Sequence, residues 1–142
     1  MIKTQIISIE PIITIHQTPL ADIRYGARTH RGLIVSFDDK EERRVVLSFN
    51  SVFGVKSVTN DFTYGPETKY KGTIENKAIR RTLQEVIPVR WYGHFTTNDD
   101  ERIMEIIESK PFQIRHFVLE FGDDTLEVLA REFEILDSEE DI

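Results

Sequence analysis

At 142 residues, with 39% apolar, 10% aromatic and 30% charged residues, the chain reads as one packed domain rather than a disordered segment. It contains no cysteine, which excludes disulfide scaffolds, thiolate metal sites and cysteine nucleophiles. The formal charge is −7, but Asp137, Glu139, Glu140 and Asp141 carry four of those charges, leaving 18 basic against 21 acidic residues over 1–136. So balanced a body does not carry the basic excess with which nucleic-acid binders neutralise phosphates.

Residues 1–136 are expected to form a single globular domain, and 137–142 an acidic, disordered tail. The opening MIKTQIISIEPIITIHQ has one early base, Lys3, and polar interruptions at Gln5, Ser8, Glu10 and Pro11. That is not the pattern of a signal peptide, and no run nears the roughly 18 apolar residues a membrane span needs. The expectation is a cytoplasmic protein with no membrane contact.

Residues 4–9 and 12–16 alternate apolar and polar side chains and read as one strand broken at Pro11, which cannot donate to a ladder. Ile23-Arg24-Tyr25 begins a second strand. Leu33–Phe37 and Val45–Phe49 are the clearest strands, joined by the charged connector Asp38-Asp39-Lys40-Glu41-Glu42, and the second runs on toward Val58. Residues 59–73 read as a long loop.

From Ile74 the period changes. Ile79, Leu83, Val86 and Ile87 fall at i, i+4, i+7 and i+8, which predicts a helix ended by Pro88. A second helix is predicted after Asn98, which with Glu101 resembles a capping box, along the stripe Ile103, Met104, Ile106 and Ile107. Gln113–Leu136 then reads as an antiparallel hairpin turning at Gly122-Asp123-Asp124. The expected class is therefore α+β: a mainly antiparallel, strand-rich, sandwich- or barrel-like sheet, two short helices, and a C-terminal β-hairpin.

Within that hairpin the apolar positions change parity. Leu126, Val128 and Ala130 are even, whereas Phe133 and Ile135 are odd, which predicts a β-bulge near Ala130–Glu132. Val118 and Leu129 point away from the main apolar face, so a helix or a partner chain should cover them, or they should form an exposed patch.

The chain has no phosphate loop, dinucleotide fingerprint, nucleophile elbow or metalloprotease histidine pair. Its histidines at 16, 30, 94 and 116 never share metal-ligand spacing. No catalytic residue, metal or cofactor is assigned. Two clusters stand out as binding candidates. In the first, Arg28, His30 and Arg31, with Arg24 and Tyr25 nearby, could hold a carboxylate or phosphate; its plainer reading is a solvated turn. In the second, Arg90, Trp91 and Tyr92 are the residue types that dominate interface hot spots; its plainer reading is a core plug by Trp91. Lys77, Arg80, Arg81 and Gln84 are expected on the wet face of the first helix.

Two functional readings follow. One is a non-enzymatic protein-interaction module, for example of antitoxin or immunity type, whose acidic residues steer it to a basic protein partner. The other is a small-molecule binder or enzyme with a polar pocket between sheet and helices, lined by Tyr25, Arg28, His30 and His94. Self-association through an exposed strand is a third possibility.

Overall fold

A computed structural model describes residues 4–16, 22–25, 32–59, 74–76, 79, 81–87, 89, 114–121 and 124–137. These form strands β1 (Thr4–Ser8), β2 (Asp22–Tyr25), β3 (Leu33–Asp38), β4 (Arg44–Thr59), β5 (Ile74–Asn76), β6 (Leu83–Ile87), β7 (Arg115–Glu120) and β8 (Asp124–Leu136). They join in one sheet of order β2-β3-β4-β8-β7-β6-β1-β5. Every pairing is antiparallel except β1 with β5.

The α+β expectation is corrected: no helix occurs among the described residues. Where the first helix was predicted, Leu83–Ile87 is strand β6, flanked by β1 and β7. The four residues of the supposed helical stripe do not share a face. Leu83 belongs to the main core and Val86 to a cluster on the opposite face, while Ile79 and Ile87 are exposed. A strand covered on both faces loses its apolar–polar alternation, and a short apolar run without alternation can mimic a helical period. The second predicted helix lies outside the described residues.

Of the strand read as broken at Pro11, the first half is β1, whereas beyond Pro11 only Thr14 pairs, as an isolated bridge. Ser8 pairs with Gln84 and Thr14 with Thr82, both antiparallel, so the chain advances six positions while β6 recedes by two. The surplus is the Ile9–Ile12 excursion, which contains a cis Glu10–Pro11 bond. Side chains close the gap. Thr82 Oγ1 donates to the Ile79 carbonyl (2.7 Å), Ser8 Oγ donates to Thr82 Oγ1 (2.8 Å), and the Ile79 N–H donates to Ser8 Oγ (2.7 Å).

Beyond the break, the Ile15 N–H donates to the Arg81 carbonyl (2.8 Å) and the His16 N–H to the Asp38 carbonyl (2.9 Å). One short segment thus touches both the start of β6 and the end of β3, although β4, β8 and β7 lie between those strands in the sheet. A flat sheet could not allow that, so the sheet is rolled. Its inner face encloses the main core: Ile9, Ile13 and Ile15 with residues of β3, β4, β6, β7 and β8. Phe37, Phe49 and Phe117 are fully buried there, each contributing about 1.5–3 kcal/mol by burial.

The β4–β8 ribbon carries the irregularity expected of the hairpin, but on the other strand. Val52 pairs with Ala130 and Gly54 with Leu129, so the inserted residue is Phe53 of β4 rather than a residue of β8. The parity change on β8 is nevertheless present, because Ala130 and Phe133 both pack on the main core. It is matched on β4, where Phe49 and Val52 share that core and Ser51 between them has φ 52°. The slip brings Phe133 against Phe49 and Phe117, with ring centroids 6.0 and 5.4 Å apart.

The outer face is not wet over the β6–β7–β8 region. Val118 packs with Ile6 and Val86, and Leu129 with Ile114, Phe53 and Val89. Val118 is 1% and Leu129 0% exposed, so the chain itself buries both and no apolar patch is left there.

Candidate functional site

The sequence-predicted binding residues Arg28, His30, Arg31, Arg90, Trp91 and Tyr92, with His94, lie outside the described residues. Arg24 and Tyr25 contribute backbone to the end of β2, paired with Ile34 and Leu33. Of the supposed wet helical face, Lys77 and Arg80 lie outside the described residues, and Gln84 is corrected: it is a buried residue of β6, 4% exposed. Among the described residues no cluster of three or more His, Cys, Asp or Glu side chains could hold a metal ion. Nor is any described helix long and apolar enough to cross a membrane.

The polar feature that sequence reasoning missed is inside the outer-face layer. The hairpin register sets His116 opposite Leu129 and Val118 opposite Glu127, so His116 and Glu127 are diagonal neighbours on one face. Their side chains meet at 2.8 Å, Nε2 to Oε1, with 0% and 5% exposure. The hydrogen bond between imidazole Nε2 and carboxyl Oε1 joins the two groups inside the covered face. A carboxylate that orients a histidine is half of a familiar catalytic device. Here the ring is sealed from solvent, and a general base must reach the proton it removes. In this arrangement the pair ties β7 to β8.

A second charged pair sits on the inner face at the end of β7. Arg115 donates to both Glu85 carboxylate oxygens (Nε 3.0 Å, Nη2 2.8 Å) and lies 4.7 Å from the centre of the Phe117 ring. The hydrogen bonds to Glu85 hold the guanidinium even more firmly protonated, against the opposing effect of burial. Aliphatic stem, planar head and aromatic face together close that end of the core.

The β3–β4 tip is an ordered turn rather than a loose charged loop. The Asp39 carboxylate accepts from the backbone N–H of Glu41 and of Arg43, both at 2.9 Å, and from Arg43 Nε at 3.2 Å. Burial pushes the Asp39 carboxyl up, but the N–H groups of Arg43 and Glu41 and the Arg43 charge outweigh it and hold the group below the usual value. Glu42 completes the turn at φ 64°. The carboxylates here serve the backbone, as Asp residues at turn tips commonly do.

The surface best suited to binding is the far half of β8. Its pairing with β7 ends at Ala130, whereas its pairing with β4 continues to Leu136. Residues 132–136 therefore form an overhang that no other described strand pairs with on the side away from β4. Arg131, Glu132, Glu134 and Ile135 are exposed, Ile135 at 52%. Asp137 follows, also exposed. Among the described residues this leaves a free strand edge at 132–136 with an exposed apolar side chain, a template for another strand.

No family model, curated protein or solved structure matches this chain.

Proposed function

We propose that this protein is a non-enzymatic protein-interaction module that binds its partner at the β8 overhang. The carrying observation is the difference in length between the two pairings of β8, which stop at Ala130 on one side and Leu136 on the other. Peptide groups along an antiparallel strand turn alternately to its two sides. About half of those in 132–136 are therefore directed to the side that no described strand pairs with, where an added strand could bond them. Glu132, Glu134 and Asp137 give that edge an acidic character, suited to steering a basic protein onto it. An antitoxin or immunity-type protein covering a basic toxin is one concrete form of this reading.

The test is site-specific photo-crosslinking in cells of the native source. A photoreactive residue at position 134 should give one dominant protein adduct, and the same residue at Glu41 on the β3–β4 tip should not. No adduct at 134, or the same adduct from both positions, would overturn the reading.

A further inference from the structure

The chemistry of the overhang points to the kind of strand it accepts, an inference that rests on the interaction reading above. The two faces of 132–136 differ. Phe133 shares the inner face with the core and with its cross-strand partner Phe49, and Ile135, paired with Leu47, follows it on that face. Glu132 and Glu134 lie on the outer face opposite Asn50 and Ser48. An added strand would set each of its side chains beside a neighbour on the same face. Its inner-face positions would meet Phe133 and Ile135, and its outer-face positions would meet Glu132 and Glu134.

We propose that the β8 overhang binds an extended segment of a partner protein in which apolar residues alternate with Lys or Arg. The acidic demand grows toward the C-terminal end. Near its start, Arg131 is itself cationic and Glu132 interacts with Arg115. Glu134 and Asp137 follow, and the sequence goes on through Glu139, Glu140 and Asp141. The basic residues of the partner segment therefore count most where they meet Glu134 and Asp137.

A second copy of this chain is the competing occupant, and its charges do not match. A two-fold antiparallel pairing that sets Phe133 against Ile135 places Glu134 opposite Glu134. One that sets Phe133 against Phe133 places Glu132 opposite Glu134. Like charges directly opposite destabilise a ladder, and here two acidic C-terminal segments would also be brought together.

The experiment uses the full chain and capped synthetic peptides with labelled ends, read by fluorescence anisotropy and by hydrogen exchange. The first peptide alternates Val and Lys; the second alternates Val and Glu. Two further versions of the Val/Lys peptide carry N-methyl groups on one or the other alternate set of peptide nitrogens. The Val/Lys peptide should bind and the Val/Glu peptide should not, and binding should weaken at least tenfold between low salt and about 0.5 M salt. One N-methylated version should lose binding while the other keeps it, because only one set of N–H groups faces the edge. Hydrogen exchange should slow at 131–137, and the exposed variants E134K and I135P should each weaken binding at least tenfold.

Equal binding of both N-methylated versions would mean mere attraction of a basic peptide to an acidic surface, and would overturn the inference. So would protection at another strand, or unchanged binding by E134K and I135P. Sedimentation showing a native dimer that I135P dissociates would replace the basic occupant by a second copy. A crosslinked partner at position 134 that lacks an alternating basic segment would defeat this inference while leaving the interaction reading intact.

Discussion

Removing the acceptor from the buried histidine tests how the hairpin is held. The perturbation is Glu127→Met, which keeps a side chain of similar size but removes the carboxyl group bonded to His116. The bond is 2.8 Å long and the two side chains are 0% and 5% exposed, so water cannot replace the lost partner without opening the sheet. A hydrogen bond to a charged group contributes about 1.5–3 kcal/mol, and a buried polar group left unmatched costs about 1–3 kcal/mol. Apolar burial by Met offsets part of this, so the expected loss is about 3 kcal/mol. That is a large share of the roughly 5–15 kcal/mol by which domains are stable. His116→Leu should cost about 2–3 kcal/mol for the converse reason. The decisive variant is the double one, because H116L/E127M removes both ends of the bond. Its cost should fall short of the sum of the single costs by at least about 1.5 kcal/mol. Urea unfolding followed by far-UV circular dichroism would measure this. With a slope of about 1–3 kcal/mol/M, E127M should lower the midpoint by about 1–3 M and leave the slope unchanged. Single costs below about 1 kcal/mol, or additivity within about 0.5 kcal/mol, would refute the claim that the two groups act as one buried pair.

Three further outcomes are expected. Asp39→Asn should destabilise the protein by about 1 kcal/mol near neutral pH. Because the folded-state carboxyl lies below its unfolded value, the wild type's advantage is full above about pH 4 and shrinks as pH falls through the folded value. Unfolding measured from pH 6 to 2 should thus bring the two proteins together in acid; a gap that widens in acid would contradict the assignment. Glu42→Gly should stabilise the β3–β4 turn by up to about 1 kcal/mol, since a left-handed backbone strains any residue with a Cβ; a lowered Tm would count against this account of the turn. Arg115→Lys should cost about 1 kcal/mol, because an ammonium cannot reproduce the two-pronged contact with Glu85 and stacks less well on Phe117. Unchanged thermal unfolding would show that the contact is incidental.

β3 and β4 are legible although both of their faces are buried, because Leu33–Phe37 and Val45–Phe49 are short β-branched and aromatic runs bounded by the charged connector Asp38–Glu42. Pro11 marks the interruption of β1 because proline has no N–H to give. β6 differs because its apolar residues are sparse: Leu83 inward, Val86 outward and the flanking Ile79 and Ile87 fall by chance at helical spacing, with no β-branched run to favour a strand. The His116–Glu127 pair was implicit in the hairpin register, which makes the two residues diagonal neighbours once Gly122-Asp123 is taken as the turn. It was passed over because polar residues on a strand suggest a solvated face, and nothing in the sequence near them shows that this face is covered. The overhang was beyond local reading altogether. It depends on β7 beginning at Arg115 while β4 reaches back to Arg44, a mismatch between strands far apart in the chain. The clusters at Arg28–Arg31 and Arg90–Tyr92 fall outside the described residues and stand as sequence-based expectations.

The position of β8 also bears on how the protein is made. It is the last of the described strands to leave the ribosome, yet it lies in the middle of the sheet, between β4 and β7. Without β8 the other described strands pair only within two sets, β2-β3-β4 and β7-β6-β1-β5. The joining step spans much of the chain and is slow for that reason. Nascent chains stalled before Asp124 should accordingly be more prone to aggregate than the full chain, as pelleting of the two species would measure.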